Sequence, residues 1–300
     1  MEGPYILHMI TSHRTVSPFD VTVAADAGYQ LVEPYTGVTL EDVPALTQAA
    51  ILSRPTELVR RTALFIGGPD AALALDMLEA ARKAMGRQPV ISAMVDPSGA
   101  FTEAAALVAL VEHHLARVFD TDLNGRIVQI FGADGVTGGV AGVLAAEAGA
   151  RVTLVSQRGI AAVSGKATGF RRRFGVELLA ADAPDDRIKN ALLNDGEVVM
   201  NCSSATMPVL STANLAHAKR LMVAIDLNPA PAGGVEGIRS NDNGCPLAGT
   251  PGIAIGAEVA NALRLTVLRT LLGMLRSAVE PVFLDFHDAL RIARDALKTA

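Results

Sequence analysis

Short apolar runs rich in β-branched residues recur along this chain, and each is followed by a polar or Gly-rich turn and then by apolar positions at helical spacing. In the first 122 residues this pattern predicts strands at 5–12, 30–37, 63–66 and 90–95. Predicted helices begin at the N-caps Ser17 and Asp70, and others cover 40–51 and the residues from about 102 onward. Strands that alternate with helices in this way predict an α/β fold with a mostly parallel sheet.

The same alternation continues after residue 124, and its first repeat is the most informative. The run from Ile127 to Phe131 predicts a buried strand, residues 132–139 form a glycine-rich turn, an Ala/Leu-rich helix follows, and Arg151 to Val155 predicts a second strand. This is the order of the dinucleotide-binding βαβ unit of a doubly wound, Rossmann-type sheet. Further strands are predicted at 176–180 and within 196–206 and 221–237, with helices at 185–195, 256–277 and 285–300.

We therefore expect two lobes. The first comprises residues 1–122, joined by the C-terminal helix at 280–300, and the second comprises residues 123–279. Three hundred residues, half of them apolar, suit two α/β lobes better than one compact domain.

The glycine-rich turn is the predicted site of the nucleotide pyrophosphate, because free N–H groups at the following helix N-terminus attract phosphates. Ala133 stands where the first glycine of the GxGxxG motif is expected. An ordinary βαβ turn without a ligand is the alternative interpretation. The residues predicted to contact the nucleotide here are Gly132, Ala133, Asp134, Gly135, Val136, Thr137 and Gly138.

The end of the second strand indicates which nucleotide is bound. NAD-selective sites place an acid there for the ribose hydroxyls, whereas this chain has Ser156, Gln157 and Arg158. An arginine attracts a 2′-phosphate, so NADP is favoured and NAD stays possible. The loops after two later strands should lie at the nicotinamide end, through Ser203, Asp226 and Asn228. The neighbouring Cys202 is expected to be a small buried cysteine rather than a nucleophile.

Composition narrows the class of protein. A net charge of −5 and the lack of an aromatic-interleaved basic patch argue against nucleic-acid binding. Two cysteines without metal-ligand spacing predict a reducing compartment and no metal site. With no signal peptide and no stretch of twenty apolar residues, we expect a cytoplasmic protein that does not bind a membrane.

Six segments together resemble one known family. That family is the NAD(P)-dependent methylene-tetrahydromethanopterin dehydrogenases of methylotrophic bacteria, which are distant relatives of methylene-tetrahydrofolate dehydrogenases. The matching segments are SPFD at 17–20, FIGGPDAA at 65–72, MVDPSGAFTEAAA at 94–106, FGADGVTG at 131–138, DLNPAP at 226–231 and PGIAIGAEV at 251–259.

The resemblance implies that the first lobe holds a tetrahydropterin and the second holds NADP, with hydride transfer between them in one-carbon metabolism. It also implies a homo-oligomer that is trimer-based, as in that family. Phe19 and Asp20 would edge the pterin pocket. The residues that would line the substrate side are Asp96 and Ser98, assigned to catalysis, and Gly99, Thr102 and Asn261, assigned to binding.

One segment departs from the family pattern. The family carries a lysine and a histidine on a helix face after the IG pair, where this chain has Val259, Asn261 and Leu263. Two alternatives to the dehydrogenase therefore stay open. One is a divergent NADPH-dependent pterin reductase, and the other is a non-catalytic relative that binds NADP or a pterin.

Overall fold

The computed structural model describes residues 3–87, 90–204, 206–228 and 233–298. By their internal contacts the residues form two compact units, Met1–Thr102 with Leu265–Ile292 and Glu103–Arg264 with Ala293–Ala300. The boundary predicted near residue 122 stays a prediction. The divisions between these compact units fall inside three helices, at residues 102/103, 264/265 and 292/293, where no change of composition marks them.

The elements are numbered in chain order. The strands are β1 Ile6–Thr11, β2 Leu31–Tyr35, β3 Thr62–Gly67, β4 Ser92–Val95, β5 Ile127–Phe131, β6 Arg151–Ser156, β7 Leu178–Asp182, β8 Val198–Asn201, β9 Pro208–Leu210, β10 Val223–Asp226, β11 Gly234–Val235, β12 Asn243–Pro246, β13 Ile253–Ile255 and β14 Phe283–Leu284. The helices are α1 Pro18–Asp26, α2 Val43–Leu52, α3 Ala71–Ala84, α4 Ala100–Phe119, α5 Val136–Glu147, α6 Ala161–Phe174, α7 Asp186–Asp195, α8 Thr212–Leu215, α9 Ala257–Ser277 and α10 Phe286–Lys298.

The first unit contains a parallel sheet with the strand order β14-β4-β3-β1-β2. Strands β3 and β4 are buried along almost their whole length, as expected for the centre of a parallel sheet covered on both faces. The order reverses between β1 and β3, and ligands of open α/β sheets bind in the crevice at the carboxyl edge beside such a switch point. The mostly parallel sheet predicted for this part of the chain is confirmed.

The second unit contains a seven-stranded sheet with the order β12-β13-β10-β8-β5-β6-β7. Only the β12–β13 pairing is antiparallel among the strands described. From β7 to β13 this is the doubly wound order of a dinucleotide-binding fold, with its switch point between β5 and β8. The predicted α/β, Rossmann-type class is confirmed.

Both predicted N-caps are present. The Ser17 hydroxyl accepts a hydrogen bond from the Asp20 N–H at 3.3 Å, and Pro18 occupies the first position of α1. The Asp70 carboxylate accepts from the Leu73 N–H at 2.8 Å and begins α3. Each cap satisfies one of the backbone donors that a helix start leaves without an intrahelical partner.

Candidate functional site

The switch point of the second unit brings the glycine turn against the loop that follows β8. Gly132 has a φ of +71°, and a Cβ added to it would lie 2.5 Å from the Ser203 backbone N. A Cβ on Gly138 would lie 2.8 Å from the Cα of Ala133. Two of the turn glycines are therefore required by close backbone approach.

The first turn of α5 faces the end of β5 with its backbone donors. Its N-cap is Gly135, a residue that has no side-chain oxygen with which to satisfy them. The Thr137 hydroxyl donates to Glu103 Oε2 at 2.7 Å, so its proton is used in that hydrogen bond. Helix α5 is 12 residues long, and its first turn has no side-chain cap. A helix start of this kind is suited to binding an anion.

A lysine that is not among the predicted site residues donates hydrogen bonds to this turn. Lys166 of α6 donates through Nζ to the carbonyl oxygens of Asp134 and Gly135, the latter at 2.7 Å. Its amine therefore satisfies turn carbonyls while adding positive charge beside the helix N-terminus. Lys166 and Gly135 are 31 positions apart in the sequence, so no local motif predicts their contact.

The end of β6 has the arrangement predicted for the adenosine ribose, with one addition. Ser156 is buried and its hydroxyl accepts from the Arg158 N–H at 2.9 Å, while Gln157 is exposed. The Arg158 side chain is 79% exposed, and its Nε lies 3.0 Å from Oδ2 of Asp134 in the glycine turn. An acid therefore is present at this edge, although it comes from the turn and not from the strand end.

The arginines at the end of α6 have other partners. Arg171 pairs with Glu177 at 3.0 Å, and the Arg173 guanidinium lies over the Phe174 ring. All three arginines of this run, 171–173, lie in the last turn of α6.

Three predicted nicotinamide-end residues form one buried hydrogen-bonded group after β8 and β10. Asp226 Oδ1 accepts from Asn201 Nδ2 at 2.7 Å and from the Asn228 N–H at 2.8 Å, and its Oδ2 accepts from the Val235 N–H at 2.6 Å. Burial raises the pKa of Asp226 even though these three donors act in the opposite direction. The Asn201 Oδ1 accepts from the Ser203 N–H at 3.2 Å and ties the two loops together.

Two nearby groups are not in that bonded set. The Ser203 hydroxyl oxygen is buried and has no hydrogen-bond partner among the residues that the structure describes. Burial raises the pKa of the Cys202 thiol well above its usual range, so this side chain is a neutral thiol rather than a thiolate. This agrees with the prediction that Cys202 is not a nucleophile. The DLNPAP segment continues into residues 229–231, which lie outside the described ranges.

A cavity of about 370 Å³ opens within the second unit beside these loops. Asn261 of α9, predicted to bind substrate, lies in its lining, and Glu258 there accepts a hydrogen bond from the Ser240 hydroxyl at 2.7 Å. Val259 is half-buried and Leu263 is buried, so neither replaces the lysine of the family pattern with another charge. The lining residues are Glu103, Leu227, Ser240, Ala257, Glu258 and Asn261.

The remaining predicted substrate-side residues belong to the first unit, at the carboxyl edge of its sheet. Asp96 follows β4 and is fully buried. Its Oδ1 accepts from the N–H groups of Phe101 and Thr102, at 2.9 and 3.3 Å, and its Oδ2 accepts from the Thr102 hydroxyl at 2.8 Å. These bonds use Asp96 and Thr102 to hold the first turn of α4, and a part in catalysis or binding stays a prediction.

Ser98, which is exposed, and Gly99, which is buried, form the corner between β4 and α4. Ser98 has a φ of 54°, a left-handed conformation that is rare for a serine, and Gly99 has a φ of 72°. The Ser98 hydroxyl donates to the Gly68 carbonyl at 3.0 Å. Strained, bonded corners of this kind occur at ligand-binding edges.

The crevice between β1 and β3 adds residues that the motif search missed. A Cβ on Gly68 would lie 2.9 Å from the Ser12 hydroxyl oxygen, so the loops after these two strands touch. Phe19 and Asp20 stand in the first turn of α1, which follows the β1 loop, and Phe19 is partly exposed while Asp20 is buried. Ser12 carried no signal because its position depends on strand order, which is a tertiary feature.

Two further features of the structure concern membrane-spanning helices and metal sites. In the described part of the chain no helix is long and apolar enough to cross a membrane. Across the same residues no group of three or more His, Cys, Asp or Glu side chains could hold a metal ion.

Comparison with known proteins matches both units. The family profile described as methylene-tetrahydromethanopterin dehydrogenase, N-terminal, matches residues 18–98. The NAD(P)-dependent methylenetetrahydromethanopterin dehydrogenase of Methylorubrum extorquens is 42% identical over 289 residues, which cover 96% of this chain and 97% of that protein. The bifunctional protein MdtA of the same organism is 27% identical over 290 residues, covering 97% and 98%.

Among solved structures, shikimate 5-dehydrogenase from Listeria monocytogenes, in complex with shikimate and NAD, has a TM-score of 0.53 at 12% identity. The match covers 99% of this chain and 96% of that one, and it concerns the fold alone. The 42% identity over nearly the full length of both proteins, together with the matched N-terminal profile, is decisive for the family. This chain belongs to the NAD(P)-dependent methylenetetrahydromethanopterin dehydrogenases, a family of one-carbon oxidoreductases that use a nicotinamide cofactor.

Proposed function

We propose that this chain transfers a hydride between the methylene carbon of methylene-tetrahydromethanopterin, or of methylene-tetrahydrofolate, and NADP. The observation that carries the proposal is the 42% identity, across 96% of the chain, to an enzyme of that name. The structural support is a glycine turn at the switch point of a doubly wound sheet.

The residues present fit a dinucleotide. Gly132 and Gly138 allow the close backbone contacts with Ser203 and Ala133 that shape the turn, and Gly135 leaves the first donors of α5 without a side-chain cap. The bound nicotinamide would supply a carbon that accepts or donates the hydride. Ser203, with its buried and unpartnered hydroxyl, and the loop held by Asp226 and Asn228 would bound the nicotinamide end.

NADP rather than NAD is the proposed principal cofactor. Arg158 is highly exposed at the end of β6, and a guanidinium binds a phosphate dianion through charge-assisted hydrogen bonds. Ser156 supports this arginine by accepting a hydrogen bond from its backbone N–H. Gln157, exposed beside it, would contact the adenosine end.

The electrostatics of the cavity suit the chemistry. Hydride removal from the methylene carbon leaves a methenyl cation, so positive charge develops on the pterin. Glu103 and Glu258 both line the cavity of the second unit, and carboxylates near developing positive charge stabilise it. We assign Asn261, in the same lining, to substrate binding.

The other residues that we assign to the pterin belong to the first unit. Ser98 is exposed at a corner of the sheet edge beside the buried Gly99, and Phe19 offers a partly exposed ring at the start of α1. Asp96 and Thr102 would act through the position of that corner. We further propose a cytoplasmic homo-oligomer, trimer-based by resemblance, which sedimentation equilibrium would test.

The decisive experiment mixes the purified protein with each methylene-tetrahydropterin and with NADP or NAD, and follows the absorbance of the reduced nicotinamide. We expect turnover with NADP, and loss of turnover in Gly138→Ala. Gly169→Ala is the matched control, because an added Cβ there meets nothing within 4 Å. The dehydrogenase proposal fails if neither pterin reduces either nucleotide. Oxidation of NADPH by a dihydropterin, without activity on methylene donors, would instead identify a pterin reductase.

A further inference from the structure

We propose that Asp134 is a second residue that determines cofactor choice, acting as an exchangeable partner of Arg158. In this assignment the Asp134 carboxylate accepts hydrogen bonds from the adenosine ribose hydroxyls of NAD. The Arg158 guanidinium binds the 2′-phosphate of NADP. The inference rests on the proposed function, because it requires a dinucleotide at the glycine turn.

The geometry places both charges at the same edge of the sheet. Asp134 lies in the turn after β5 and Arg158 lies just after β6, and β5 and β6 are adjacent parallel strands. Their side chains meet at 3.0 Å, between Arg158 Nε and Asp134 Oδ2. In a doubly wound sheet this is the edge that the adenosine half of a dinucleotide approaches.

Asp134 and Arg158 differ in how far their side chains are exposed to solvent. The Asp134 side chain is only 12% exposed, and its backbone carbonyl is held by Lys166 Nζ. The Arg158 side chain is 79% exposed. An ion pair with so exposed a member contributes little to stability, so the guanidinium can leave the carboxylate at small cost.

The substituent at the ribose 2′ position, a hydroxyl in NAD and a phosphate in NADP, then decides whether Asp134 or Arg158 binds the nucleotide. A ribose 2′-hydroxyl is a donor, and a carboxylate is the acceptor that NAD-selective sites offer to it. A 2′-phosphate carries only acceptors and negative charge, so Asp134 repels it while Arg158 attracts it. The charges of Asp134 and Arg158 cancel when the two side chains are paired. The site can therefore bind NAD as well as NADP.

The test measures the dissociation constants of NAD and NADP by titration calorimetry for the wild type and for Asp134→Asn, Arg158→Gln and the double variant. We expect Asp134→Asn to raise the preference for NADP over NAD by about tenfold, the worth of one charge-assisted interaction. Arg158→Gln should lower that preference by about tenfold or more. The effect of Asp134→Asn should be smaller in the double variant, because part of it comes from releasing the guanidinium.

Glu112→Gln is the charge-matched control, because it removes a carboxylate that pairs with Arg294 at 2.7 Å and not with the turn. It should leave the preference unchanged. Equal effects of Asp134→Asn on both nucleotides, or a selective loss of NADP binding, would overturn the inference, the latter by showing that Asp134 only positions Arg158. Binding of neither nucleotide by the wild type would overturn the proposed function and the inference together. Since Arg158 is so exposed, Arg158→Gln keeps the test valid if Asp134→Asn folds poorly.

Discussion

At the scale of single residues, the most informative side chain is one whose described contacts all lie within the protein. Asp226 is predicted to contact the cofactor, yet all the hydrogen bonds described for its carboxylate run to Asn201, Asn228 and Val235. Its direct contribution is therefore to shape the loop after β10. Contact of Asp226 with the cofactor stays a prediction.

Asp226 also makes stability depend on pH in an unusual direction. Because burial raises its pKa, the folded protein binds more protons than the unfolded chain from about pH 4, the ordinary carboxyl pKa, up to the folded pKa. The contribution of this group to the free energy of unfolding is thus full below that window and is lost as pH rises through it.

We predict that Asp226→Asn has a lower free energy of unfolding than the wild type, because the N–H₂ of the new amide would face one of the three donors that the carboxylate accepts. The difference in free energy of unfolding between the two proteins should narrow as pH rises. Urea unfolding of both proteins across a pH series measures the gap. Asp186→Asn, which removes an exposed carboxylate, controls for the loss of one negative charge. A gap that stays constant with pH would contradict the assignment.

At the scale of elements, what the sequence predicts well is whatever is determined locally. The strand predicted from Ile127 to Phe131 is β5 residue for residue, and the Arg151 to Val155 prediction ends one residue short of β6. Continuous apolar runs bounded by glycine have few alternatives in an α/β chain. The N-caps Ser17 and Asp70 are equally local, because the cap and its donor lie three residues apart.

Elements defined by distant partners were missed. β14 has two residues and exists because Phe283 and Leu284 pair with β4, nearly 190 positions away. The β12–β13 pair and the short β9 and β11 give no run long enough to recognise. The same reasoning applies to the site, where Lys166, Glu103 and Asn201 reach the glycine turn or its neighbouring loop only through the fold.

The glycines of β5–α5 and of α6 provide a matched test of this local logic. Gly132→Ala should destabilise the protein by about 3 kcal/mol, because its φ of +71° and the Ser203 backbone both exclude a Cβ. Gly169→Ala lies in a helix with open space around the added methyl, and should stabilise it by about 0.5–1 kcal/mol. Chemical denaturation of both variants measures the difference, and equal effects would refute the close approach at Gly132.

At the scale of the whole molecule, the two compact units are interleaved along the chain. The first unit needs the segment after residue 280. Ala93 N–H donates to the Val282 carbonyl at 2.9 Å, and the Phe286 ring packs edge-on against Phe101 with centroids 5.1 Å apart. The second unit needs the end of α10, where Arg294 pairs with Glu112 through two hydrogen bonds of 2.7 Å. No single cut in the sequence separates the units.

This interleaving predicts how fragments behave. The fragment 1–122 lacks β14 and Phe286, so β4 becomes an open edge and the fully buried Phe101 is exposed. We expect it to show no cooperative urea transition by circular dichroism. A matched fragment in which residues 1–102 are joined to 265–298 by a flexible linker restores both contacts and should unfold cooperatively. A cooperative transition of 1–122 alone would show that the predicted boundary at residue 122 is the true one, and that the C-terminal segment is an accessory to the first unit.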